Sequence, residues 1–179
     1  MHLKAYTDYA LRVLVFVGVK AEEWSTISEI AKSYGISKNH LRKVVHQLSQ
    51  HGFIETAQGR HGGIRLGRPA DQIGVGEVVR AMEDGMVLVE CFNPAGSQCR
   101  IAPACVLRSV LHDALGAFMR ALDGHRLSDL IGARHALADL LNIGKPRGEA
   151  AASGSATATR RMPEADHVRR PAKPPRGDG

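Results

Sequence analysis

The chain has 179 residues, 44% of them hydrophobic but only 4% aromatic, with a formal net charge of +6. That suffices for one domain with a proper core, or a small domain with appendages, and the scarcity of aromatics argues against a base-stacking surface for single strands. No apolar run is long enough to span a bilayer and the opening residues lack a signal-peptide core, so the expected location is the cytoplasm, where thiols stay reduced.

The charge is unevenly placed. Residues 1–68 hold ten Lys and Arg against five Asp and Glu, residues 69–144 six against nine, and residues 145–179 eight against four. Basic ends point to an anionic partner, and the acidic middle has another job.

Taken in chain order, a first helix is predicted over 8–19, rich in apolar residues (Leu11, Leu14, Val15, Phe16) and capped by Thr7 or Asp8. A second starts at the capping box Thr26-Ile27-Ser28-Glu29, with Ile27, Ile30, Ala31 and Tyr34 on one face. Gly35 stops it, and Ser37 caps a third helix almost at once. That helix turns Leu41, Val44, Val45 and Leu48 inward and ends at Gly52. Strands at 53–57 and 64–66 then flank the glycine-rich tip Gln58-Gly59-Arg60-His61-Gly62-Gly63.

A short helix over 76–83 follows, with Val78, Val79 and Met82 inward, and then a cysteine-bearing loop. The longest helix is predicted over 104–122, with an apolar stripe of Leu107, Leu111, Ala114, Phe118 and Leu122 suited to a symmetry mate or to its own core. A last helix covers 128–141. Beyond Gly144, Ala, Gly, Pro, Ser and Arg dominate, which predicts a disordered basic tail.

Helix–helix–helix–hairpin, with cations on both the third helix and the hairpin tip, is the order of a winged helix-turn-helix. The three-residue turn Gly35-Ile36-Ser37 fixes the angle at which the third helix enters a major groove. Ser37, Lys38, Asn39, His40, Arg42 and Lys43 form the expected groove-facing set. Asn39 has the donor–acceptor pair that reads adenine, and Arg42 and Lys43 suit phosphates. Arg60 and His61, set among glycines, suit a minor groove. The same charges would serve a protein-contact module as a solvated face. No nucleophile–base pair or carboxylate pair marks an enzyme, and Gly62-Gly63 is too short for a phosphate cradle.

Cys91, Cys99 and Cys105 are separated by seven and five residues. Three clustered thiols in a reducing compartment suggest a soft metal; the wide gaps suit an iron–sulfur cluster better than zinc, which favours tight pairs. A redox-active thiol switch or a zinc-binding interaction protein remains the alternative on spacing alone. Asp8, read from its neighbours, caps the first helix and pairs with Arg12 one turn on.

The run Ser28-Glu29-Ile30-Ala31…Tyr34-Gly35-Ile36-Ser37-Lys38-Asn39-His40-Leu41, with Gly62-Gly63-Ile64-Arg65-Leu66, resembles NsrR-type nitric-oxide-sensing repressors, iron–sulfur winged-helix regulators of the family that contains IscR and RirA. Leu3-Lys4-Ala5-Tyr6-Thr7-Asp8-Tyr9-Ala10-Leu11-Arg12 and Cys99-Arg100-Ile101-Ala102-Pro103-Ala104-Cys105 are similar to the family's N-terminus and cluster loop, and the likeness spans about 1–143. The first inter-cysteine gap is longer than in several members.

The resemblance implies a mainly α fold with a small β-hairpin wing and a long dimerisation helix. It implies a homodimer on palindromic operator DNA, switched off by nitric oxide. Cys91, Cys99 and Cys105 would ligate the cluster, [4Fe–4S] in preference to [2Fe–2S], with Asp8 from the partner as fourth ligand and His112 as a rival. An iron- or cluster-status regulator of IscR or RirA type is the near alternative. The expected division is a DNA-binding domain over 1–75, a cluster loop and dimerisation helices over 76–143, and the tail over 144–179.

Overall fold

In the computed structural model, residues 3–21, 23–59, 62–83, 85–93 and 99–144 are described. The wing-tip residues Arg60 and His61 and the tail beyond Gly144 lie outside that set. The fold is mainly helical with one two-stranded antiparallel hairpin. Among the described residues no helix is long and apolar enough to cross a membrane.

The first helix, α1 (Ala5–Lys20), is the axis of the molecule. Ala10, Val13, Leu14 and Val17 are fully buried, and α3 (Lys38–Gln50), α4 (Val75–Met82), α6 (Leu127–Leu130) and α7 (Arg134–Leu140) all pack against it. The helix begins earlier than the sequence predicts. Its N-cap is Lys4, whose side chain makes no capping bond, and Thr7 lies inside the helix, completely buried. The cap comes from a distance instead. The Glu83 carboxylate, at the end of α4, accepts from the Lys4 amide at 2.9 Å and from the Thr7 hydroxyl at 2.6 Å. A local capping rule cannot see such a partner.

The next two helices follow their sequence signals. In α2 (Ile27–Tyr34) the Glu29 amide donates to Thr26 Oγ1 at 3.1 Å and the Thr26 amide to Glu29 Oε2 at 2.6 Å, the reciprocal capping box. Gly35, at φ +67°, ends the helix in the left-handed region that glycine tolerates best. In α3 the four inward residues Leu41, Val44, Val45 and Leu48 are all buried.

Strands β1 (Ile54–Ala57) and β2 (Gly63–Leu66) pair in register from Ile54 with Leu66 to Ala57 with Gly63. Ser25 adds a third rung by exchanging backbone bonds of 2.8 and 2.7 Å with Ile64. The rung needs a glycine beside it, because a Cβ on Gly63 would stand 2.5 Å from the Ser25 carbonyl oxygen. The wing is thereby fastened to the entry of α2.

The C-terminal half differs in two details. The long helix α5 is Val106–Asp123; it starts two residues late because Ala102–Ala104, containing Pro103, forms a 3₁₀ turn. The single helix predicted over 128–141 is instead α6 and α7. Leu127 is buried against the core with its amide bonded to Ile73, Ile131 packs onto Gly18, and Gly132, a poor helix former, lies at the break.

Leu41→Ala removes a fully buried side chain from the α1–α3 contact and should cost about 2–5 kcal/mol, read as a lower urea midpoint at unchanged m-value. A second expectation concerns acid. Burial, the largest single influence on Glu29, pushes its carboxyl up, but the Thr26 amide and hydroxyl and Lys20 together outweigh it and hold it below its ordinary 4.5. A depressed carboxyl stabilises the fold above its unfolded value and that contribution fades as pH falls through the folded one. Thermal unfolding of Glu29→Gln should therefore show a shallower loss of stability below about pH 4.5 than the parent chain.

Candidate nucleic-acid interface and thiol site

The outer face of α3 follows from its inner one. With every fourth position or so committed to the core, Lys38, Asn39, His40, Arg42 and Lys43 are left exposed, together with the capping residue Ser37. The Asn39 amide donates to Ser37 Oγ at 3.3 Å, which sets the first turn. The Arg42 guanidinium donates to Asn39 Oδ1 at 2.7 Å, so the two side chains form one presented unit. Sequence reasoning missed His46, exposed one turn beyond Arg42 on the same face; its i+4 spacing was the available signal.

On the wing, Arg65 stacks over the Trp24 ring at 4.7 Å and pairs with Glu55 at 2.8 Å, while Arg68 pairs with Glu77 at 2.6 Å. Those cations are tied down in the structure. The sequence puts Arg60 and His61 at the hairpin tip, outside the described residues.

Asp8 sits in the first turn of α1, half exposed, and pairs with Arg12 at 2.9 Å. Its hydrogen bond is the largest influence raising the Arg12 pKa, and the Arg12 guanidinium lies 5.8 Å from the Tyr34 ring at the end of α2. Next to Asp8, Tyr9 stacks on His40 of α3, with ring centroids 6.3 Å apart and planes 26° apart. Asp8 is therefore one residue from a direct contact with α3. Nothing in the sequence pattern signals that stack, since it joins two elements by side chains alone.

The thiols bracket a loop between α4 and α5. Cys91 lies in the 3₁₀ turn Glu90–Phe92 and Cys105 caps α5; both are half-buried, Cys99 is exposed, and none is disulfide-bonded. Beside Cys105 opens a cavity of about 870 Å³ whose walls include Met86, Phe92, Pro103, Arg108 and His112. His112 meets Phe92 edge-on at 6.0 Å.

Among the described residues no three His, Cys, Asp or Glu side chains converge as a metal ion would require. Three thiols on one loop beside an open cavity fit a thiophilic iron centre in donor chemistry and in room, and a single chain leaves that donor set open. The neighbouring face of α5 is equally incomplete. None of its residues is buried, with Val106 76%, Leu107 62% and Val110 55% exposed.

Comparison with known proteins places this arrangement. Residues 3–133 match the Rrf2 family, described as iron-dependent transcriptional regulators. The chain is 47% identical over 146 residues to the HTH-type transcriptional regulator NsrR of Oceanobacillus iheyensis, covering 81% of this chain and 99% of that protein. Nearly all of that relative is thus matched, while this chain continues beyond it. In fold it is similar to CymR (YrzC), the global cysteine regulator of B. subtilis, with TM-score 0.59, 24% identity and coverage of 74% and 98%. It is also similar to T. potens IscR, with TM-score 0.56, 22% identity and coverage of 83% and 94%. With winged-helix regulators on every side of the comparison and most of its length matched, the chain belongs to the Rrf2 family of transcriptional regulators.

Proposed function

We propose that the protein is a nitric-oxide-responsive repressor in the cytoplasm, binding palindromic operator DNA as a homodimer under the control of an iron–sulfur cluster. One observation carries the reading: Asp8 stands beside the Tyr9–His40 stack, so whatever holds this carboxylate also bears on the groove-facing helix. The likeness to NsrR regulators supports the choice of signal.

In this reading Cys91, Cys99 and Cys105 hold the cluster from one subunit and Asp8 of the partner subunit completes the ligand set. Held there, a cluster would supply iron with affinity for nitric oxide. A lone carboxylate is the hardest and weakest donor among three thiolates, so it is the ligand most readily given up. Asp8 has a second partner waiting in Arg12. An exposed ion pair of this kind is worth roughly 0–1 kcal/mol, too little to hold Asp8 against a stronger partner.

The uncovered face of α5, with Leu107 and Val110, would bring the two subunits together. Each α1 passes its position to α3 through Tyr9 and His40. Ser37, Lys38, Asn39, His40, Arg42 and Lys43 meet the major groove, and Arg60 and His61 meet the minor groove. A palindrome requires the two reading helices at a fixed separation, so a small displacement of α1 lowers operator affinity steeply.

The family's description as iron-dependent transcriptional regulators favours a second reading, a regulator of iron or cluster status. The two differ in stimulus. Anaerobically purified protein should be brown and bind the DNA upstream of its own gene, then release it as nitric oxide is titrated in. Loss of binding on iron depletion alone, with indifference to nitric oxide, would favour the second reading; colourless protein whose affinity ignores both would end each of them.

Asp8→Ala should leave the apo fold unchanged by circular dichroism while the cluster's absorbance band shifts and its lifetime in air shortens. An identical spectrum and lifetime would remove Asp8 from the ligand set.

A further inference from the structure

The hydrogen bond between Asn39 and Arg42 decides what each side chain can offer a base. Both residues are exposed on α3, on neighbouring turns, and the Arg42 guanidinium donates through Nη1 to Asn39 Oδ1 at 2.7 Å. A guanidinium carries donors only, so the carboxamide has to turn its oxygen toward Arg42. The bond is charge-assisted and therefore stronger than one between neutral groups.

For Asn39 the consequence is a loss of freedom. Reading adenine takes both halves of a carboxamide, the oxygen for the N6 amine and the NH2 group for N7. Here a cation already holds Oδ1, and an adenine amine would have to share that oxygen or displace the cation. Arg42 gains what Asn39 gives up. The bond takes one N–H of the fork and fixes its angle, leaving the other donors to aim at a base. A phosphate asks for less, since the point charge of an ammonium satisfies it, and exposed Lys38 and Lys43 supply that on the same helix. A planar fork held at a set angle suits the paired acceptors O6 and N7 of guanine.

Position agrees with this division. In a helix-turn-helix the N-terminal residues of the second helix meet base edges, and Asn39 and Arg42 are the second and fifth residues of α3. The residues around them are otherwise engaged. His40 stacks on Tyr9, and the Ser37 hydroxyl accepts from the Asn39 amide and so fixes the backbone from which the carboxamide projects.

We propose that Arg42 is a base-reading residue that takes guanine in the major groove through O6 and N7, and that Asn39 is the positioning residue that holds its fork. The proposal deepens the DNA-binding part of the function given above and does not depend on its signal. Two other roles suit the same pair. In one, Asn39 reads adenine while Arg42 grips phosphate, and the engaged Oδ1 counts against it. In the other, the pair only steadies the helix, and its place at the N-terminal end of α3 counts against that.

The test selects from a pool of random-sequence duplexes with full-length, anaerobically purified protein, and sequences the DNA bound by the parent, Arg42→Ala, Asn39→Ala and Asn39→Asp. The parent should select half-sites containing a guanine that Arg42→Ala no longer requires, with affinity for the selected duplex down roughly 5- to 150-fold. Asn39→Ala should lose part of the same preference. Asn39→Asp should keep it, because a carboxylate still accepts from Arg42 yet has no donor for adenine N7. A pair that merely steadied the helix would move no base preference, so unchanged preferences in every variant overturn the proposal. It also falls if the Asn39 variants lose an adenine while Arg42→Ala weakens all duplexes alike and lowers the salt slope by about 0.9, the mark of a phosphate contact. Guanine preference intact in Asn39→Ala, or lost equally in Asn39→Asp, overturns the positioning role. If the parent selects no sequence, the DNA reader and its reading residue fail together; if it selects one and only the guanine effect is missing, the reader stands and Arg42 does not.

Discussion

Everything in this molecule depends on the burial of α1. Ala10, Val13, Leu14 and Val17 have no exposed surface, and α3, the short α4 and the two C-terminal helices all lean on that one rod. At roughly 25 cal/mol per Å² of apolar surface removed from water, a helix enclosed this completely is the least expendable element of the fold. It is also the element with polar business at both ends. At its start Glu83 receives the Lys4 amide and the Thr7 hydroxyl; at its end the Lys20 ammonium binds the Trp24 carbonyl at 2.9 Å and Glu29 at 3.1 Å. The core helix is thus joined to the root of the cysteine loop on one side and to the capping box of α2 on the other.

That placement gives the charge distribution a physical sense. The basic face of α3 is what remains after Leu41, Val44, Val45 and Leu48 turn inward, and it needs no further support than the core already provides. Three acids of the segment 69–144 are paired close by: Glu77 with Arg68, Asp123 with Arg80, and Glu83 with the head of α1. The exposed cations Lys38, Arg42 and Lys43 share one face of α3, the kind of basic patch that attracts a polyanion.

Local signals in the sequence located most of the DNA-reading half. Thr26 with Glu29, Gly35 and Ser37 each act within a few residues of themselves, and the structure places each where its chemistry demands. The apolar periods of α3 and α4 were equally readable, because burial on one face of a helix leaves a 3.6-residue imprint. The failures have the opposite character. The start of α1 depends on Glu83, far along the chain, and the division of the last helix depends on Leu127 meeting Ile73 and Ile131 meeting Gly18. The Tyr9–His40 stack leaves no imprint at all, since Tyr and His at those positions are unremarkable helical residues. The thiols were visible as a group, yet their spacing in space is not a property of one chain's local pattern, and among the described residues no three metal-ligating side chains converge.

The attachment of α1 at both extremities has a mechanical corollary. Sixteen residues at 1.5 Å each make a strut of about 24 Å. Clamped into its surroundings, such a strut cannot bend to absorb a displacement; it must tilt. A tilt of about 5° around one extremity carries the other through about 2 Å, several times the half-ångström window within which a hydrogen bond keeps its length. Leverage of this order turns a small rotation at one extremity into a displacement at the other that a hydrogen bond cannot follow.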